Sequence, residues 1–193
     1  LALDDHGTPQ FDRETLQCGR FPVFIAGDCN HDRPVLHEAA WEGALAGANA
    51  AAWPSAPARR ERLTPLSIVF SDPQIATVGS TDSAAGVVTG TVDFGDQGRA
   101  RMMGANAGCL RIYADRGSRR VIGAQMVAPA GEHLAHLLAW AIQSGCEAQD
   151  LLALPFYHPT YEEGLRSALR DLCRKVSLIP EGRSGDFDFG PGA

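Results

Sequence analysis

The chain has 193 residues, of which 45% are hydrophobic and 21% are charged, and its formal net charge is −6. This length corresponds to one domain, or to one domain with part of another, and the apolar share excludes a wholly disordered chain. The negative charge argues against a dedicated nucleic-acid-binding protein, which would carry a basic stripe. We interpret the densest basic cluster, residues 59–62, as a solvated connector. No apolar run approaches the ~18 residues of a membrane span.

The five cysteines are an odd number, widely spaced and without a CxxC pair; they are Cys18, Cys29, Cys109, Cys146 and Cys173. This pattern predicts reduced, mostly buried thiols in a cytoplasmic protein, rather than a disulfide framework or a zinc site. The first residues have neither the basic region nor the apolar core of a signal peptide. Because the chain begins with Leu1 instead of methionine, we expect it to be a piece of a longer protein.

In chain order, residues 1–17 are polar with scattered apolar positions, which predicts a loop or a short hairpin. Residues 21–26 are a short apolar run that stops at Gly27-Asp28, which predicts a buried strand. Residues 35–53 are rich in alanine and glycine, and most of them favour a helix that packs closely against a neighbour. Prolines break this helix, so we place a domain boundary near residues 54–62.

The second region has the pattern of a self-contained α+β unit. Apolar or alternating runs bounded by turn residues predict strands at 67–70, 75–79, 86–94, 110–114 and 121–127. The apolar spacing then changes to the helical i, i+3, i+4 rule, which predicts helices at 134–142, 147–154 and 161–176. The chain is thus divided into residues 1–60, residues 61–176 and a flexible tail over residues 177–193.

Asp28 is the first candidate for a ligand-binding residue. A carboxylate just past a buried strand lies where open α/β sheets bind ligands, and its oxygens can accept hydrogen bonds from ligand hydroxyls. An aspartate in this position is also typical of a turn cap. The residues alone leave both interpretations open.

A second candidate is the segment around His158. Pro159 disfavours helical backbone at His158, so the imidazole is expected just outside the helix that follows. Thr160 then fits the N-cap position and Glu163 the N3 position of a capping box. Alternatively, the Glu163 carboxylate pairs with the imidazole, fixing its tautomer and raising the basicity of the other ring nitrogen. Both interpretations are open at this point.

Other motifs give weaker evidence of function. His133 and His136 stand three residues apart, but no third ligand with suitable spacing is apparent, so no metal site is predicted. The pair Met102-Met103 is assigned to packing. Neither a GxGxxG after a strand nor a phosphate-binding GxxxxGKS/T is present.

Four stretches, taken together and in order, resemble the pyridine nucleotide-disulfide oxidoreductases, most closely the dihydrolipoamide dehydrogenases, over roughly residues 1–175. Residues 24–28 (FIAGD) resemble the second flavin-binding motif, and residues 35–43 (VLHEAAWEG) the helix start beside the flavin ring. Residues 70–79 (FSDPQIATVG) resemble the entry to the dimerisation domain, and residues 158–163 (HPTYEE) the catalytic His–Glu signature. Four motifs in one order are far more specific than any single one.

The resemblance implies a fold and a cofactor site. It implies an α+β dimerisation domain, an antiparallel sheet flanked by helices, preceded by a remnant of an α/β FAD-binding domain. Asp28 would hold the ribityl chain of FAD with Gly27 beside it, and the backbone near Leu36 would face the flavin ring.

The resemblance also implies a catalytic pair. His158, held by Glu163, would be the base that takes a proton from a dithiol substrate, with Pro159 as a neighbouring cofactor contact. In this family the histidine reaches the flavin and the disulfide of the other subunit, so the active site requires a homodimer. Electrons would pass from the dithiol to an enzyme disulfide and through FAD to NAD. The partner implied is a lipoyl-bearing protein of a 2-oxoacid dehydrogenase complex, with no nucleic acid and no membrane.

The chain lacks the family's first FAD phosphate-binding glycines, its redox-active CxxxxC and its NAD domain. We therefore expect the isolated polypeptide to be inactive and not to hold FAD tightly. Two alternatives stay open. One is another disulfide reductase of the superfamily, such as glutathione or mercuric reductase or soluble transhydrogenase. The other is a non-catalytic dimeric binding module.

Overall fold

The computed structural model describes residues 1–81 and 85–176. The chain forms two compact units, unit 1 spanning Leu1–Leu63 and unit 2 beginning at Thr64. The tail predicted over residues 177–193 lies outside the described residues.

Unit 1 is built around the helix α1, Leu36–Ala52. Its alanine-rich sequence has a high helix propensity. Leu45 and Ala46 of this helix are buried in a small core with Leu16. A short 3-10 helix, Asp28–Asn30, comes before α1 in the chain.

The strand predicted at residues 21–26 is not formed, and that prediction is wrong. Phe24 makes only an isolated bridge with Gln17. A strand is held by a ladder of hydrogen bonds to a neighbour, and the described residues of unit 1 form isolated bridges instead of such ladders. Phe24 and Ala26 pack against the unit 1 core all the same, so the apolar pattern indicated burial and not strand pairing.

Unit 2 contains, over its described residues, a five-stranded antiparallel sheet. The strands are β1 (Leu66–Val69), β2 (Gln74–Gly79), β3 (Val87–Asp93), β4 (Cys109–Asp115) and β5 (Val121–Ala128). Their order is β1-β2-β5-β4-β3, and all neighbouring pairs are antiparallel. The antiparallel sheet that the resemblance implied is confirmed, and each strand overlaps a run predicted from the sequence.

Helices cover one face of this sheet. Those described in unit 2 are α2 (Gly98–Met102), α3 (Gly131–Gln143), α4 (Ala148–Leu152) and α5 (Glu163–Lys175). The helix α3 packs on β1, β2 and β5, and α5 packs on β3 and β4. The cross-strand partners Val78, Ala124 and Ile112 are buried beneath them. The sequence missed α2 because five residues are too few to show a helical period.

Two expectations about packing are wrong. Met102 and Met103 are exposed at the end of α2 instead of packed. The cysteines are not mostly buried: Cys18 and Cys173 are buried, Cys146 is partly exposed, and Cys29 and Cys109 are exposed. Burial raises the pKa of the Cys173 thiol to about 11, so the reactive thiolate is scarce there at neutral pH.

Side chains of α5 cover the outer edge of β3. The Asp171 carboxylate accepts a hydrogen bond from the backbone N–H of Thr91 (2.8 Å). The Lys175 ammonium donates to the Thr89 carbonyl (2.9 Å) and to Asp171 (2.7 Å). Burial raises the pKa of the Asp171 carboxyl, but the bonds from Lys175 and Thr91 outweigh this and hold it below its ordinary value. These contacts satisfy edge groups of β3 and fix α5 to the sheet.

Gly90 of β3 lets α5 lie close to the sheet. A Cβ atom placed on it would lie 2.2 Å from the Ala168 carbonyl oxygen and 2.6 Å from the Leu172 Cβ. We predict that Gly90→Ala lowers the free energy of unfolding by about 1–3 kcal/mol, the usual cost of overpacking, because α5 must move outwards. Gly98→Ala is the matched control, since a Cβ there meets no heavy atom within 4 Å. Urea unfolding measures both, and equal midpoints for the two variants would contradict this account.

Candidate functional site

The first candidate site lies in the segment that leads into α5. His158 and Pro159 stand between α4 and α5, joined by a cis peptide bond. The imidazole is half exposed, at 55% of its side-chain area, whereas the Glu163 side chain at the start of α5 is only 7% exposed. The structure therefore presents the ring at the surface and buries its acidic neighbour.

The imidazole and the carboxylate are in direct contact. The Nδ1 atom of His158 lies 3.0 Å from Oε1 and 3.2 Å from Oε2 of Glu163. An ionised carboxylate can only accept hydrogen bonds, so Nδ1 carries the hydrogen and donates it. The neutral ring is thereby held in the tautomer whose Nε2 keeps a lone pair. Such a ring can accept a proton at Nε2.

The capping-box register expected for this helix is wrong. The residue that precedes α5 as its N-cap is Glu162, not Thr160, and it makes no side-chain capping bond. The Thr160 hydroxyl instead donates to the Tyr157 carbonyl (2.7 Å). However, the Thr160 backbone N–H donates to Oε2 of Glu163 (3.0 Å). Glu163 thus makes one of the two hydrogen bonds of a capping box, the one to the Thr160 backbone, and also holds the imidazole.

The second candidate site is the turn around Asp28 in unit 1. Gly27 has φ 76°, in the left-handed region that favours glycine. Asp28 follows it, exposed, as the first residue of the 3-10 helix. Leu36, the first residue of α1, is also exposed. Its N-cap, Val35, has no side-chain acceptor for the N–H groups of the first turn.

A buried ionic network, which the sequence did not predict, supports this turn. Arg62 was included in the solvated connector, but its side chain is only 10% exposed and pairs with Glu42 (2.5 Å), Glu38 (3.1 Å) and Asp32 (3.5 Å). The Arg62 guanidinium can leave water because carboxylates surround it and accept its hydrogen bonds. Glu38 and Glu42 stand i, i+4 on the alanine-rich helix α1, and this spacing was the signal available in the sequence.

The sequence-predicted residues therefore fall into two groups. Glu163, His158 and Pro159 come together in unit 2, while Gly27, Asp28 and Leu36 lie in unit 1. Over the described residues no three metal-ligating side chains converge; in α3, His136 lies against the Glu132 carbonyl. In the same part of the chain, no helix combines the length and the apolar character required to cross a bilayer.

The fold and the sequence together define the class of protein. The chain belongs to the pyridine nucleotide-disulphide oxidoreductases, since the model of that family's dimerisation domain matches residues 66–169. This confirms the resemblance drawn from the four motifs.

Named relatives agree. The chain is 31% identical to dihydrolipoyl dehydrogenase 3 of Haloarcula marismortui, over 91% of this chain and 39% of that protein. It is 32% identical to mercuric reductase of Acidithiobacillus ferrooxidans, over 81% of this chain and 29% of that protein. Among solved structures, LpdA from Mycobacterium tuberculosis superposes with a TM-score of 0.73 at 25% identity, over 93% of this chain and 38% of that one. The chain thus spans well under half of the relatives it matches.

Proposed function

We propose that this chain supplies the dimerisation domain and the acid–base pair of an FAD-dependent disulfide oxidoreductase of the dihydrolipoyl dehydrogenase type. The observation that carries the proposal is the contact between the half-exposed His158 ring and the buried Glu163 carboxylate. The buried carboxylate fixes one ring nitrogen and leaves Nε2, on a half-exposed ring, able to exchange a proton with a substrate.

The proposed role of His158 is proton transfer with a dithiol substrate. A thiolate, not a thiol, is the nucleophile in disulfide exchange. The Nε2 lone pair accepts the thiol proton, and Glu163 stabilises the imidazolium that results. Bound FAD would supply the two-electron redox chemistry, with NAD as the co-substrate. Pro159, which adjoins the ring, stays a proposed cofactor contact.

The turn around Asp28 has the chemistry to hold a flavin cofactor. An exposed carboxylate accepts hydrogen bonds from ribityl hydroxyls, and the bare first turn of α1 at Leu36 offers backbone N–H donors to a ring oxygen. Gly27 supplies the positive φ that the turn needs. On this basis we propose unit 1 as part of the FAD-binding domain and unit 2 as the dimerisation domain.

An apolar surface beside His158 supports the proposed homodimer. A groove of about 370 Å³ is bordered mainly by apolar side chains of α3, α4, α5 and the segment before His158. Among the lining residues, Leu154 and Tyr157 are exposed, Tyr157 at 83%. Contiguous exposed apolar surface of this kind marks interaction sites. We propose that a second subunit binds here and that His158 acts at the redox centre of that subunit, with a lipoyl-bearing protein as the source of the dithiol.

A second candidate function is another reductase of the family, which the mercuric reductase relative favours. The two candidates differ in substrate. Oxidation of dihydrolipoamide with reduction of NAD supports the first candidate, and reduction of Hg²⁺ supports the second.

The proposed acid–base pair predicts the kinetics of the flavin-loaded enzyme that contains this chain. His158→Gln should lower turnover of dihydrolipoamide about 10²–10⁴-fold, the range of a lost general base. Glu163→Gln should lower it about tenfold or more, because a charge-assisted hydrogen bond to the imidazolium is lost. His133→Gln, at an exposed position of α3, is the control and should keep the native rate. A native rate in His158→Gln would remove this residue from catalysis.

The proposed dimer surface predicts the oligomeric state of the chain. The native chain should sediment as a dimer, and Leu154→Glu should weaken dimerisation at least about tenfold, since a charge would be buried in an apolar contact. Met103→Glu replaces another exposed apolar side chain, away from the groove, and should leave the dimer intact. Analytical ultracentrifugation measures all three. A native monomer, or equal dissociation constants for the two variants, would exclude this surface.

A further inference from the structure

Glu42 is a fully buried carboxylate on the second turn of α1. Its Oε2 accepts hydrogen bonds from the Gly27 backbone N–H (2.6 Å) and from Nδ2 of Asn30 (2.7 Å). Its Oε1 accepts from Nη1 of Arg62 (2.5 Å). One side chain therefore joins α1 both to the turn at residues 27–30 and to the basic segment that ends unit 1.

The two loop contacts stand on either side of Asp28. Gly27 comes immediately before it, and Asn30 comes two residues after it. The Asn30 backbone N–H also donates to the Gly27 carbonyl (2.9 Å), which closes the turn. The backbone that carries Asp28 is thus fixed at both ends, while its carboxylate stays exposed.

All three partners of Glu42 are donors, and this requires a carboxylate. A glutamine amide has one oxygen, so its NH2 group would have to face either the Gly27 and Asn30 donors or the Arg62 guanidinium. Desolvating a carboxylate is costly even when it is paired, and an apolar residue often serves stability as well. What the carboxylate provides beyond stability is a charged acceptor for the two donors of the turn, which fixes the turn's geometry.

We propose that Glu42 is a positioning residue for FAD, acting through Asp28 by locking the Gly27–Asn30 turn. The inference rests on the proposed function, which makes Asp28 the ligand of the ribityl chain. Glu42 itself is buried and does not touch the cofactor in this account. Because Glu42 holds the Asp28 carboxylate in place before FAD binds, less conformational entropy is lost on binding and the affinity for FAD is higher.

Glu38 is a matched control on the same helix. It is also buried, and it pairs with Arg62 (3.1 Å) and with Arg33 (2.8 Å). The hydrogen bonds of its carboxylate go to these guanidinium groups and not to the Gly27–Asn30 turn. Glu38→Gln therefore removes a buried charge from the same network without releasing the turn.

The test measures the FAD dissociation constant of the full-length flavoprotein by titrating the apoprotein and following the flavin absorbance. Glu42→Gln should weaken FAD binding about tenfold or more, because a glutamine oxygen turned to Gly27 and Asn30 accepts only neutral hydrogen bonds, which are weaker than those to a carboxylate. Glu38→Gln should change it by less than about threefold. Asp28→Ala should weaken it at least as much as Glu42→Gln. The double variant Asp28→Ala/Glu42→Gln should bind no more weakly than Asp28→Ala alone, because both changes act through one carboxylate.

The outcomes separate the inference from the proposed function. Unchanged FAD binding in Asp28→Ala would show that Asp28 does not bind the flavin, which contradicts the proposed function. If Asp28→Ala weakens FAD binding but Glu42→Gln and Glu38→Gln weaken it equally, only the positioning role is overturned. Additive losses of FAD affinity in the double variant would overturn that role too. If Glu42→Gln does not fold, Asn30→Ala removes one of the two turn contacts of Glu42, together with the hydrogen bond from the Asp32 backbone N–H to Asn30, and keeps the Arg62 pair. It should weaken FAD binding several-fold, and native affinity in Asn30→Ala would overturn the inference.

Discussion

A carboxylate that is almost withdrawn from water, Glu163, accepts hydrogen bonds from an imidazole and from a backbone amide at the start of α5. Burial makes its negative charge expensive unless donors meet it, so the two donors and the carboxylate hold one another in place. The His158 ring gains a fixed tautomer and a fixed direction from this contact. A half-exposed histidine without such a partner would sample several rotamers and both tautomers.

The rest of unit 2 keeps Glu163 where this contact needs it. The first turn of α5 lies against the Phe94 ring, so closely that a Cβ on Gly164 would come within 2.9 Å of it. The Gln97 side chain donates to the Thr160 carbonyl (2.6 Å) and so ties the segment before α5 to the start of α2. Further along, α5 packs closely against Gly90 of β3. The sheet therefore acts as a rigid support for the ring.

Local patterns in the sequence predicted most of the helices and strands of unit 2, because its strands alternate and its turns contain the residues that turns require. They failed at residues 21–26, since an apolar run does not say whether a neighbouring strand is available. Local patterns also could not predict the pairing of Glu42 with Arg62, because it joins residues 20 positions apart. For Glu163 the sequence posed two alternatives, and the geometry combines parts of them: the carboxylate contacts the imidazole and also accepts from the Thr160 backbone N–H.

The central claim is that Glu163 sets the tautomer of His158, and nitrogen-15 NMR of the imidazole rings tests it most directly. In the native chain, at a pH where the ring is neutral, Nδ1 should be protonated and Nε2 unprotonated. Glu163→Ala should shift the His158 ring towards the Nε2–H tautomer that free histidine prefers, while His133 should keep its spectrum. A native His158 ring protonated at Nε2, or a spectrum unchanged by loss of the carboxylate, would contradict the account.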